Sequence, residues 1–290
     1  EETPWCVGYF RNNMGYRGVE FTPEPAEDVE RIGVVGDSFV FGEGVQVEGT
    51  LPVQLNQVLG PRYELINLGQ VGAFTGQEMV ATYSAVESLD THRILFVFLI
   101  NDVGVTETLA AQQDFINDLI IFRDAHLSAR NSGAWYKGHS RLVDFIGSQL
   151  QMRSIEQDTI QWYRDCYDPA KNGNNLLQLE SYFHELAALP TCEVAMVIYP
   201  LLEGFEDEYP FTEIHERVSS MASRAGLPVL DLAPAFAGIE SSALWVHPAD
   251  HHPNRRANGI AAKTIVSWLR REVPDFLTQY EAGDEIAESN

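Results

Sequence analysis

Short aliphatic runs alternate with stretches of helical period along most of this chain. Arg31–Gly36, Tyr63–Leu68, Arg93–Ile100, Glu193–Tyr199 and Pro228–Leu232 are brief runs rich in Val, Ile, Leu or Phe, the pattern of parallel strands covered on both faces. Between them, Thr50–Leu59, Gly76–Leu89, Phe211–Ala225 and Gly259–Arg271 carry apolar residues at helical spacing, and Thr50 with Pro52 forms a helix start signal. The alternation predicts a parallel sheet with helices on both faces. About ninety residues separate the third strand from the fourth, far more than a crossover needs. That stretch has helix-like segments near Thr106–Phe122, Arg141–Met152, Ile155–Cys166 and Asn174–Leu189. It predicts a helical insertion over about residues 103–190, serving either as a wall or lid for a pocket or as a layer that thickens the core. Residues 1–28 read as an extended arm and 280–290 as a mobile acidic tail. With no internal repeat and no Pro/Gly/Ser linker, a single domain over 1–290 is expected.

Composition narrows the partners. Hydrophobic content of 45% and charged content of 21% describe a globular chain rather than a disordered one. A net charge of −23 repels polyanions, so neither nucleic acid nor an anionic membrane surface is expected as a partner. No apolar run approaches the roughly 20 residues a transmembrane helix requires, and no basic-then-apolar signal opens the chain. The chain starts at Glu1; removal of an upstream signal or anchor would make it a bacterial periplasmic or extracellular protein, and otherwise it would be cytoplasmic. Cys6, Cys166 and Cys192 are too few and scattered for a disulfide framework or a CxxC metal site. One bridge with a spare thiol and three free thiols both fit.

Chemistry enters where the first aliphatic run stops at Gly36-Asp37-Ser38. In a parallel α/β sheet, ligands bind outside the carboxyl ends of the strands, so Ser38 is a candidate nucleophile if a base and an oxyanion site reach it. The spacing is not that of the G-x-S-x-G elbow, since Phe39 and Val40 follow the serine. Near the other end, Trp245–Gly259 crowds a carboxylate and several imidazoles before the last helix. Asp250 and His252 share a face if the stretch is extended, and a turn could instead bring the carboxylate to Nδ1; either would suit a carboxylate that fixes the tautomer of a general base. His247, Asp250, His251 and His252 form an alternative metal-binding set, and Asn254 or Asp250 an alternative helix cap. Gly69 and Gly72, after the second strand, let a backbone N–H approach a substrate, and Asn101, past the third, offers a side-chain amide.

These blocks resemble the SGNH (GDSL-type) hydrolase superfamily. Gly36-Asp37-Ser38-Phe39 looks like its first block, Asn67-LGQV-Gly72 its second, Leu99-IN-Asp102 its third and Asp250-H-His252-Pro253 its last. The resemblance implies Ser38 as nucleophile, His252 as base, Asp250 as its orienting partner, and an oxyanion hole of Ser38, Gly72 and Asn101, with Gly69 as the fallback donor. It also implies a flavodoxin-like three-layer α/β/α sandwich with a five-stranded parallel sheet of order 2-1-3-4-5. No nucleotide or metal motif stands out along the chain, so no cofactor is expected. Gly15-Tyr16-Arg17-Gly18 and the ending HP-x-D-x-HPN resemble a largely uncharacterised bacterial subgroup. Two departures stand out: Leu99 replaces the usual glycine of the third block, which bears on the pocket floor or the Asn101 loop, and Asp250 precedes His252 by two residues where many members have three.

The expected activity is that of a serine esterase acting on a small-molecule or carbohydrate ester, with an O-acetyl group on a sugar as the candidate substrate. An O-acyltransferase would use the same residues with an alcohol in place of water, and a catalytically silent binding protein would keep the scaffold alone. Trp135, Tyr136, Trp162 and Tyr163 of the insertion are candidates to stack on sugar rings, although aromatic side chains more often pack cores.

Overall fold

The computed structural model describes residues 7–103, 157–248 and 250–277. The helix-like segments at Thr106–Phe122 and Arg141–Met152, the pair Trp135 and Tyr136, Cys6 and the acidic tail lie outside them. The chain divides into two compact units, one of residues 1–100 with 180–290 and one of residues 101–179.

In the first unit, β1 (Glu30–Val35), β2 (Tyr63–Asn67), β3 (Arg93–Phe98), β4 (Glu193–Ile198) and β5 (Val229–Asp231) form one sheet. Its order is β2-β1-β3-β4-β5 and every pairing is parallel. This is the sheet the aliphatic runs predict, each strand within two residues of its expected bounds. Strand alternation sorts the core into two layers. Ile32, Val34, Leu95, Val97, Ala195 and Val197 pack with Leu51, Leu55, Ile265 and Trp268 of α2 (Leu51–Leu59) and α7 (Arg255–Glu272). Their neighbours Val35, Ile94, Phe96, Phe98, Met196 and Ile198 are buried on the other face. There α3 (Thr75–Ser88) packs against β1, and α5 (Thr212–Ala225) against β4 and β5. Each fully buried Leu, Ile, Val or Phe contributes roughly 1.5–3 kcal/mol, so the two layers supply the main driving force.

Among the described residues, a helical stretch over 157–166 and α4 (Pro169–Ala187), interrupted by non-helical dihedrals at Asn172, lie between β3 and β4, and the single turn α6 (Ala233–Phe236) follows β5. A short turn helix, α1 (Ser38–Phe41), follows β1. Between α6 and α7 lies an antiparallel ribbon of β6 (Trp245–His247) and β7 (Asp250–Pro253). The ribbon and the start of α7 depart from expectation. The apolar spacing starts the last helix at Gly259, yet the helix begins four residues earlier, because the Asn254 side chain accepts the Ala257 N–H at 3.0 Å and satisfies a donor that the first turn leaves unpaired.

The arm is held by two buried arginines. Arg31, on β1, reaches Thr22 O at 2.6 Å, the Pro23 carbonyl, Leu89 O at 2.5 Å and the Glu64 carboxylate at 2.6 Å. Arg17, on the arm itself, donates to Phe41 O at 2.9 Å and to the carbonyls of Gly42 and Val45. Its guanidinium also faces the rings of Tyr9 and Phe41, at 4.6 and 5.0 Å from their centroids. Burial pushes its pKa down from the usual arginine value, but the three carbonyls compensate its charge.

Two substitutions probe these anchors by chemical denaturation. Arg17→Lys should lower stability by about 2–3 kcal/mol, since a single ammonium cannot span three carbonyls in a planar fork. A Cβ at Gly69 would lie 2.1 Å from Phe41 N and 2.7 Å from Val40 C. Gly69→Ala should therefore cost about 3 kcal/mol, because both obstacles are backbone. Gly72→Ala, at φ +72° with nothing within 4 Å of the added methyl, should cost only the roughly 1–2 kcal/mol of a left-handed residue.

Candidate active site

Ser38 occupies the first turn beyond the carboxyl end of β1. The preceding Asp37 accepts the Phe39 N–H at 2.8 Å and so starts α1 at the serine; Gly42, in the left-handed region, ends the helix one turn later. Ser38 is 9% exposed. Its Oγ lies 3.4 Å from Asp37 Oδ2 and 2.8 Å from His252 Nε2. The second contact is the better hydrogen bond, because O–H donors weaken steeply beyond about 3.0 Å.

His252 stands on β7, where alternation sends neighbouring side chains to opposite faces. Asp250 shares its face, and Asp250 Oδ1 accepts both the Nδ1–H of His252 at 2.5 Å and its backbone N–H at 3.2 Å. The two-residue spacing suffices because the strand is extended. With Nδ1 carrying the proton, the Nε2 lone pair is left for the Ser38 hydroxyl. Phe39 packs against the imidazole at 5.4 Å between centroids and shields one side of it.

His251 points the other way. Its ring stacks on Trp245 at 3.7 Å, 12° from parallel, and its Nδ1 meets Glu203 Oε1 at 2.7 Å. The hydrogen bond to Glu203 raises its pKa against the opposing effect of burial. The two adjacent imidazoles thus serve different surroundings, and the alternative metal set does not converge. Among the described residues, no group of His, Cys, Asp and Glu gathers around a metal position.

Gly69 and Gly72 differ in kind. The Gly69 N–H donates to Asn67 Oδ1 at 3.0 Å, and the residue is pressed against the α1 backbone, so it acts as a packing glycine. Gly72 is exposed in the turn before α3, at φ +72°. Leu99 is buried in the α2/α7 layer, in the same core cluster as Tyr199 and Leu202. Asn101 belongs to the second unit, in the turn Ile100–Val103 that follows β3. Trp162 and Tyr163 of that unit touch edge to face at 4.9 Å. Cys166 and Cys192 are free thiols, pushed up to about 12 and about 11 chiefly by burial.

Two acidic residues near the serine had no local sequence signal. Glu43, in the turn after α1, brings Oε2 to 3.4 Å from His252 Nε2. Glu78, on α3, is buried, with neither carboxyl oxygen hydrogen-bonded among the described residues. Burial first, and the charge of Asp37 second, raise its pKa well above the carboxylate range. A Glu at a core-facing position of a helix is the only hint the sequence offers of it.

No protein-family model matches the chain, and no curated protein does. Among solved structures, it is similar to a carbohydrate acetylesterase from Sinorhizobium meliloti, with 11% identity over 83% of this chain and 98% of that one and a TM-score of 0.45. A catalytic mutant of an acetylxylan esterase from Geobacillus stearothermophilus gives 14% identity, 82% and 93% coverage and a TM-score of 0.47. A lipase/acylhydrolase from Enterococcus faecalis gives 15%, 83% and 96%, and 0.43. At such identities and scores, the functional reading rests on the side chains themselves.

Proposed function

We propose that the chain is a serine hydrolase of the SGNH type, cleaving a carboxylic ester through a covalent acyl-enzyme. The observation that carries this is the unbroken line Ser38 Oγ, His252 Nε2, His252 Nδ1, Asp250 Oδ1, with links of 2.8 and 2.5 Å. Nucleophile, base and orienting carboxylate are each within the reach that proton transfer requires.

In this reading, Ser38 Oγ attacks the ester carbonyl while His252 Nε2 takes its proton. Asp250 keeps the imidazole in the working tautomer and stabilises the imidazolium. The tetrahedral oxyanion is held by the N–H of Ser38, which has no intrahelical acceptor at the first helical position, and by Gly72 N–H and the Asn101 amide. His252 then gives the proton to the departing alcohol oxygen as the C–O bond breaks. Water, activated by the same imidazole, attacks the acyl-enzyme and releases the acid. A carbohydrate O-acetyl group remains the candidate substrate, tested by comparing short and long p-nitrophenyl esters and then acetylated polysaccharides.

A fluorophosphonate probe should label wild-type protein on Ser38, with the adduct found by peptide mass spectrometry; equal labelling of Ser38→Ala would end the assignment. Asn101→Ala should lower kcat by roughly 10²–10³-fold with KM little changed, as loss of one oxyanion donor does. An unchanged kcat would remove Asn101 from the oxyanion hole.

A further inference from the structure

Glu43 is a carboxylate that the mechanism above does not use, although it stands beside the nitrogen on which that mechanism turns. Its Oε2 is 3.4 Å from His252 Nε2. The residue is not free to drift. Its N–H donates to Ser38 O at 3.0 Å and that of Gly42 to the same oxygen at 2.9 Å. The Gly44 N–H donates to the Tyr9 hydroxyl at 2.8 Å, and Arg17 binds the carbonyls of Phe41, Gly42 and Val45. The turn is therefore gripped from both sides by the arm, while the Glu43 side chain itself stays 37% exposed. A solvated surface glutamate needs no such anchoring.

The position fixes what the carboxylate meets. In the resting site, the Nε2 lone pair faces Ser38, so Glu43 gains no hydrogen bond from the imidazole. During cleavage, the departing alcohol oxygen must come within about 2.6–3.2 Å of Nε2 to receive its proton. With Nε2 3.4 Å from Oε2, that oxygen lies at most about 6.6 Å from Glu43. Substituents one or two bonds beyond it fall within direct reach of the carboxylate.

We propose that Glu43 selects the alcohol half of the ester: it accepts leaving groups that present a hydroxyl donor or a positive charge next to the ester oxygen, and it repels anionic ones. This rests on the serine hydrolase reading and names the substrate class of the same site. Vicinal hydroxyls of a sugar supply such donors, whereas a neighbouring carboxylate, sulfonate or phosphate would face a like charge at close range.

The test uses three acetate esters of similar size: acetylcholine, its uncharged isostere 3,3-dimethylbutyl acetate, and 2-acetoxyethanesulfonate. Wild-type kcat/KM should fall in that order, by about tenfold per step for charges some 6 Å apart in a half-solvated site. Glu43→Gln should compress the cation-to-anion ratio by about tenfold or more, and Glu43→Lys should invert it. Because each ratio is taken within one variant, a loss of folded protein cancels. Glu216→Gln, which removes an exposed charge on α5, should leave the ratio as in wild type. A wild-type ratio retained in Glu43→Gln, or an equal change in Glu216→Gln, would overturn the proposal while leaving the esterase reading intact. Absence of both Ser38 labelling and turnover of any ester would instead remove the parent reading.

Discussion

The 2.8 Å hydrogen bond between Ser38 and His252 joins residues 214 positions apart, and much of the first unit can be understood as what holds its two ends still. One end is set by β1, which lies between β2 and β3 in the sheet and delivers Ser38 at its carboxyl edge. The other end depends on the hand-off from the β6–β7 ribbon to α7. Asn254 controls that step with a single side chain: its amide donates to Ala243 O and Trp245 O at 3.0 Å each, and its carbonyl caps α7 at Ala257. One turn on, Asn258 bonds Gly49 O at 2.8 Å and accepts the Tyr199 hydroxyl at 3.2 Å. These two amides bind the ribbon, the β4 edge and the segment before α2 into one frame. A shift of about 1 Å at either end would take the serine out of proton-transfer range.

An aspartate on an imidazole does not by itself identify a base, and the molecule contains the counter-example. His215, fully buried on α5, has Nδ1 at 2.8 Å from Asp231 Oδ1, much as His252 meets Asp250. Its other nitrogen faces the Tyr209 hydroxyl at 3.2 Å, and Asp231 also accepts the Ala233 N–H. That pair ends on a phenol packed against Phe205 and Phe211, and it ties α5 to the end of β5. What separates the two is the far side of the ring: a serine hydroxyl at a strand end in one case, a half-buried tyrosine packed among aromatic rings in the other.

The sequence was readable where one physical cause dominates over a short window. Five strands declare themselves through aliphatic runs, most clearly β1, β3 and β4, where burial on both faces of the sheet leaves little choice of residue. Ser38 was visible because a hydroxyl follows such a run directly. The ribbon was not: Trp245–His247 and Asp250–Pro253 are short and rich in His and Pro, and only their pairing with each other makes them strands. The first turn of α7 is hidden for a related reason: Arg255 and Arg256 are polar and carry no apolar periodicity, and the cap at Asn254 sets the start. Glu43 and Glu78 act across tens of residues, so no local spacing marks them; Arg17 stands in the Gly15-Tyr16-Arg17-Gly18 motif, but its carbonyl partners do not show in the sequence. Gly69 was visible as a glycine but not in its purpose, which is to let the β2 loop lie against the α1 backbone.

Four carboxyl groups gather around Ser38, His252 and the turn between them, and their coexistence needs a cause, since like charges in a confined space oppose one another. Each is given a different environment. Asp250 accepts two N–H groups of His252, Asp37 accepts the Phe39 N–H, and Glu43 keeps a third of its side chain in solvent. Glu78 has no such compensation among the described residues, and burial beside Asp37 favours its neutral acid. The arrangement keeps negative charge beside the His252 ring and at the half-exposed edge of the site, and burial opposes it at Glu78. A strongly acidic chain can in this way keep a serine hydroxyl hydrogen-bonded to an imidazole without surrounding it by unpaired anions.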